Sequence, residues 1–271
     1  MRISITVIAL CATLFATHTA LADQSDIRKA DNAAALGFGF TNIKYSETQS
    51  GKGLGSETGV MPTLELSAGV LANAAAHEPF SNLYLHLDAR AGLGDTRFTG
   101  TQCNQFNTCA AYQGSTHEQI YTAALQVGRA FSMTQNTLLI PYVEVGERYW
   151  HRALTAPGNS AESFWNGDFL GGLKLQGFMK PWVMSLSAAV GTTFNSSASM
   201  AGTDYTLGDT TMYRVGGEIA LGISPRLDMT LKIGYENFGF NASAPNANGF
   251  RIPDSTTGQT SVLLGLAYHY F

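Results

Sequence analysis

The sequence predicts an all-β chain, a closed antiparallel transmembrane β-barrel of about ten strands, with eight or twelve as the alternatives. Three observations predict it. The final stretch, Thr260 to Phe271, sets Val262, Leu264, Leu266, Tyr268 and Tyr270 on one face and Ser261, Leu263, Gly265, Ala267 and His269 on the other, because strand side chains have period two. Similar alternating stretches recur along the chain, each near the ~9 to 11 residues that a tilted strand needs to cross a bilayer. The composition fits neither common alternative: 13% charged residues, 11% aromatic and 29 glycines are too little charge for an ordinary water-facing surface. Yet after the N-terminal segment no apolar run approaches the ~18 residues of a spanning helix.

Taken in order, Met1-Arg2, the apolar run Ile3 to Phe15 and the small-residue site Ala20-Leu21-Ala22 have the three regions of a secretory signal. Cleavage is expected before Asp23, so residues 1–22 are assigned as signal peptide, 23–35 as a periplasmic lead-in without a motif, and 36–271 as one barrel domain. Loss of Arg2 takes the formal charge from −4 to −5, so neither a nucleic-acid partner nor a polybasic lipid-binding role is expected. Alternating strands are expected at about 36–45, 62–72, 82–93, 119–130, 138–150, 166–177, 182–193, 211–222, 228–238 and 260–270. Starting from a periplasmic N-terminus, the odd connections (46–61, 94–118, 151–165, 194–210, 239–259) are long and the even ones (73–81, 131–137, 178–181, 223–227) short, the alternation of extracellular loops and periplasmic turns. Pro141 falls inside the fifth strand, where its missing donor predicts a bulge or a break in the ladder.

Outward positions include Leu64, Leu66, Leu85, Leu87, Tyr121, Leu125, Leu173, Trp182, Leu186, Val190, Val215 and Ile233, none of them charged. Inward positions carry Glu65, Asp88, Glu144, Asp168, Glu218 and Glu236 against Arg90, Arg148, Lys174, Arg214 and Lys232, with His86, Gln126 and Gln176 among them. A turn centred on Pro225 places residues whose numbers sum to 450 opposite each other, so Glu218 faces Lys232 and Arg214 faces Glu236; Glu65 similarly meets Arg90. Buried charge is costly unless paired, so these residues are expected to form a lumenal ion-pair network filling a narrow barrel. The competing expectation is a narrow porin-like path for small solutes.

Cys103 and Cys109 lie in the longest outside connection of an exported chain, which favours a disulfide over a metal site, since no second cysteine or histidine pair stands at zinc spacing. A turn centred on Thr134 would set His117 opposite His151, but both lie on the outward parity, where rim histidines solvate the lipopolysaccharide boundary. No catalytic, metal or cofactor-binding residues are assigned. Asp168 and Glu162 supply carboxylates near the outer rim without an inward histidine, and no G-x-S-x-G fixes a serine, so no enzyme is expected; an outer-membrane hydrolase is the second alternative.

The closing alternation, with Tyr268 and Tyr270 on one face, resembles the last strand of Gram-negative outer-membrane β-barrels. The chain is similar in size and expected topology to the ten-stranded omptins, and in organisation to small opacity- and adhesin-type barrels. That resemblance implies a monomer in the outer membrane, in contact with lipid and lipopolysaccharide, acting at the cell surface through its loops. It also implies a C-terminal signal, Tyr268, Tyr270 and Phe271, read by the barrel assembly machinery. Phe271 is one step out of phase with the two tyrosines and is expected to bend away from the strand.

Overall fold

The computed structural model describes residues 24–49, 51–72, 81–103, 109–155, 161–246 and 249–270. The expected signal peptide and Phe271 lie outside them. A helix α1 (Gln24–Ala30) precedes β1 (Ala33–Gln49), β2 (Lys52–Leu71), β3 (Leu83–Cys103), β4 (Cys109–Arg129), β5 (Phe131–Thr134) and β6 (Thr137–Leu154). There follow β7 (Glu162–Met179), β8 (Trp182–Met200), β9 (Thr203–Thr206), β10 (Thr211–Ser224), β11 (Leu227–Phe240) and β12 (Asp254–His269). The short β5 and β9 pair only with β6 and β8. The other ten strands form a closed antiparallel cylinder, β12 pairing with β1 and β8 with β10.

The register defines the cylinder. A row of paired residues leaving Tyr121 on β4 passes Ala91, Leu64, Phe38, Leu264, Leu231, Ile219, Met184 and Gly177 and returns on β6 at Thr137 rather than Tyr149, an offset of 12 residues. With strands ~4.8 Å apart and ~3.3 Å per residue, that stagger tilts them by about 40° from the barrel axis. About ten residues then cross the apolar core of a membrane. Strands β3 and β4 have 21 residues each, so about half of each projects beyond it.

Outside the wall, apolar side chains such as Phe38, Leu64, Leu87, Val190 and Leu264 are about half exposed. Tyr121, Tyr149 and Trp165 form one chain of rings at 6.3 and 6.2 Å, and Tyr213 and Tyr235 lie 6.0 Å apart at a similar height. Phe131, Trp182, Tyr268 and Tyr270 are exposed at the other edge. The tilt puts roughly 20 to 25 Å between these girdles, the band a transmembrane barrel presents to lipid. Glu147 also shares the outward face and is exposed beside the upper girdle.

The outside connections differ from expectation. Residues 46–49 and 52–61, 94–103 and 109–118, 151–154 and 162–165, and 194–200 continue the strands rather than forming loops. At Pro141 the ladder is broken: β4 pairs with β6 as far as Gly128↔Tyr142, and pairing resumes in the same register as β5, Phe131↔Leu139. On the other edge of β4 the N–H of Ala130 donates to Asn82 O at 2.9 Å, one step beyond the Leu83↔Arg129 pair.

The lead-in is corrected most. Residues 24–30 fold as α1 inside the mouth of the barrel that carries the short turns, and β1 starts at Ala33, three residues before the expected Leu36. Ile27 is fully buried against Leu71, Tyr84, Leu138 and Ile140. Arg28 donates to Ala72 O at 3.1 Å and Asn82 Oδ1 at 2.5 Å, Asn32 exchanges hydrogen bonds with Leu71, and Asp31 meets Lys174 Nζ at 2.7 Å. Burial pushes the Asp31 carboxyl up, against the pull of Lys174. Gly69 makes room for this seat: a Cβ there would stand 2.7 Å from Asp31 O. Ile27→Ala is expected to cost about 2 to 4 kcal/mol in guanidinium unfolding from vesicles. Gly69→Val should displace α1 and expose residues 24–30 to protease added at that mouth.

Candidate functional site

Inside the wall the chain is layered. Next to α1 lies the small apolar cluster around Ile27. The mid-membrane layer is charged. Strand pairing sets Glu65 opposite Arg90, Arg214 opposite Glu236 and Glu218 opposite Lys232. The charged ends then connect across the bore. Arg90 Nε lies 2.7 Å from Glu65 and 3.0 Å from Asp88, and Lys232 Nζ reaches Glu65 at 2.6 Å. Arg214 donates to Glu236 at 2.8 and 3.0 Å and also bridges to Glu144. Arg148, fully buried, donates to the other Glu236 oxygen at 2.6 Å and lies 3.6 Å over the Phe238 ring.

Two sequence-assigned members stand apart. Lys232 turns from its opposite neighbour to Glu65, so among the described residues Glu218 has no ion pair within 4.0 Å. Asp168 is 2% exposed and its Oδ1 accepts no hydrogen bond among the described residues. A cavity of about 160 Å³, lined by Asp88, Arg90, Asp168, Lys174, Arg214 and Glu236 among others, occupies this layer. A smaller one of about 40 Å³ continues toward α1, and both reach His86, Lys174, Glu218 and Lys232. Spaces of this size among polar groups suit ordered water.

Above the charged layer the bore is filled by Ile43, Tyr45, Trp150, Phe164, Phe238, Phe240 and Ile252, all nearly or fully buried. Trp150 lies 5.2 Å from Tyr45 and 5.7 Å from Phe164, and Phe164 stacks on Phe240 at 5.2 Å. On this floor sits Arg152, 5% exposed, with its guanidinium 4.1 Å from the Tyr45 centroid. It bridges Glu57 at 2.6 Å, Glu162 at 3.1 Å and Glu47 at 3.4 Å, with Glu118 at 3.8 Å. Trp150 Nε1 donates to Glu118, whose other oxygen accepts from Thr96 at 3.1 Å.

Sequence reasoning missed Arg152, Glu47, Glu57 and Glu118. Their parity announces them: Glu144, Arg148 and Arg152 share the inward face of β6, and Glu57 and Glu65 that of β2. They fell outside because the strands were ended at membrane length. The expected opposition of His117 and His151 is corrected, since β4 and β6 pair His117 with Ala153 and Gln119 with His151. His117 meets Asp95 at 3.0 Å and His151 meets Ser163 Oγ at 2.9 Å. No group of three or more potential metal ligands occurs among the described residues.

The backbone places Cys103 directly opposite Cys109 in the β3–β4 ladder. Opposed strand residues have Cα atoms about 4.5 to 5.5 Å apart, within the range a disulfide spans. Thiol alkylation of the unreduced mature protein should modify neither cysteine, and reduction should release two reactive thiols. In the charged layer, Arg214→Met strips a cation from two buried carboxylates and should cost about 3 to 5 kcal/mol, whereas Lys180→Met in an exposed turn should stay within about 0.5 kcal/mol. Guanidinium unfolding in vesicles measures both.

No family model and no curated protein matches the sequence. The outer membrane protease OmpT from Escherichia coli aligns with a TM-score of 0.58 at 7% identity, over 89% of this chain and 97% of that one. The translocator domain of the autotransporter NalP from Neisseria meningitidis aligns at 0.40 with 10% identity over 98% of both chains. The β domain of the Bordetella autotransporter BrkA gives 0.41 at 12% identity, over 89% and 100%. At 7% identity the likeness to OmpT speaks for the fold alone, a closed ten-stranded antiparallel barrel.

Proposed function

We propose that this chain is a monomeric outer-membrane barrel with a closed lumen, exported through the periplasm, that acts at the cell surface as a structural or recognition (adhesin-like) protein through its extracellular hairpins. The observation that carries this reading is the filling of the bore at both ends. Helix α1 and the Ile27 cluster occupy the periplasmic mouth, and Trp150, Phe164, Phe238 and Phe240 with Arg152 occupy the extracellular one. Between them most charged ends are held by partners from other strands, an arrangement suited to holding the wall together rather than to passing solutes.

The surface left for partners is the outer half of the hairpins. Their exposed positions are mostly small and polar, for instance Ser56, Thr58, Thr99, Gln113 and Asp204. A disulfide between Cys103 and Cys109 would pin the longest of them. Tyr268 and Tyr270, both exposed on the lipid side, would with Phe271 present the assembly signal.

Single-channel recording in planar bilayers tests the closed lumen. The folded protein is expected to show no conductance steps. A variant lacking residues 24–31 and carrying Phe164→Ala and Phe240→Ala should conduct, because both stoppers are then removed. Reproducible steps from the unmodified protein would replace this reading with that of a narrow channel.

A further inference from the structure

We infer that the outer wall of β1, β2 and β3 carries a binding site for the phosphorylated headgroup of an outer-leaflet lipid, formed by Lys44, Thr58 and Arg97. The inference rests on the outer-membrane reading above. Lys44 is paired with Thr58 across β1 and β2, and Thr58 with Arg97 across β2 and β3, so the three stand in one row on adjacent strands. All three are exposed and share the outward parity of their strands with Phe40, Val60 and Leu93. Two strand spacings separate the cation-bearing Cα atoms by about 10 Å, so both long side chains can converge over the threonine hydroxyl. A phosphate there would accept from an ammonium, a guanidinium and a hydroxyl.

The height of the row favours a lipid over a soluble anion. Phe40, Val60 and Leu93 are the last apolar outward residues on their strands before the row. Lys44 and Arg97 stand four residues above Phe40 and Leu93, which at this tilt is roughly 10 Å, the depth of a headgroup layer. An acyl chain below the phosphate would lie on the apolar residues.

The two cations are also uncommitted. Among the described residues neither has an ion-pair partner within 4.0 Å. Asp95, the outward acid beside Arg97, is held by His117 at 3.0 Å. Most other cations of the wall point inward to Glu65, Glu144, Glu236 or the Arg152 cluster. Below the hairpin tips and above the upper girdle, Lys44 and Arg97 are the outward lysine and arginine among the described residues, and they fall in the same row.

Native mass spectrometry of the refolded protein tests the site, with diphosphoryl lipid A as probe and its dephosphorylated form as comparator. The protein is expected to retain one molecule of the diphosphoryl lipid in preference to the comparator. Lys44→Gln with Arg97→Gln should weaken that retention by about five-fold for each cation removed. Arg129→Gln with Arg226→Gln, at the opposite edge of the barrel, should leave it unchanged. Equal retention by the Lys44/Arg97 variant, or equal retention of the two lipids, would overturn the site while leaving the barrel reading intact. Failure of the unmodified protein to insert into vesicles, seen as loss of heat-modifiable gel mobility, would overturn the membrane reading and the site with it.

Discussion

The closing of the sheet on itself with a 12-residue stagger is the constraint from which the rest of the structure follows. In lipid every backbone N–H and C=O must find a partner within the protein, and a sheet satisfies that only without free edges. Ten strands at this stagger give a backbone radius of roughly 9 to 10 Å. Side chains pointing inward from opposite walls then meet near the axis. Such a bore is too wide to be filled by backbone, so the inward residues must solve a packing problem. The charged layer, the aromatic floor and α1 are three solutions at three depths.

The charged layer behaves as a network rather than as a set of cross-strand pairs. Glu65 receives both Arg90 and Lys232, Glu236 receives both Arg148 and Arg214, and Arg214 also holds Glu144. β11 and β2 are separated by β12 and β1 in the sheet, yet Lys232 reaches Glu65 because a lysine spans the chord of a narrow cylinder more readily than the arc. Each such contact ties non-adjacent strands together. The pairwise ladder does not supply that rigidity.

What the sequence disclosed follows the same division. Parity was legible because lipid selects it residue by residue, and it assigned the inward charges and the outward leucines. The β10–β11 register was legible because a tight turn at Pro225 leaves little freedom: Arg214↔Glu236 and Glu218↔Lys232 are the observed partners. The β4–β6 register was not, because the turn is irregular, with a register shift between Ser132 and Thr134, and centres the hairpin on Gln135 instead of Thr134, which sets His151 opposite Gln119. Contacts across the bore, such as Lys232 with Glu65, depend on the closed shape, which no local pattern encodes. Helix α1 left little trace because seven residues carry a single large apolar side chain, Ile27, too few for a helical period.

The length of the strands has its own cause, visible where the polarity of the wall reverses. Along β1, Leu36, Phe38 and Phe40 point out, and four residues later Ile43 and Tyr45 are buried inside while Lys44 is exposed. Along β6, Val143 and Val145 are exposed, Arg148 is inside, and then Trp150 is fully buried. Below the reversal the barrel is apolar outside and charged within, as lipid demands; above it the barrel is polar outside and aromatic within, as water demands. The outer half is therefore a β structure with its own hydrophobic core, continuous in backbone with a half whose interior is mainly charged and whose apolar cluster is the small one around Ile27. That core gives the projecting segments a reason to stay in register as strands instead of dissolving into loops. It also fills the bore with the same aromatic residues that hold the hairpins in place, so filling of the bore and ordering of the projecting strands are one packing event.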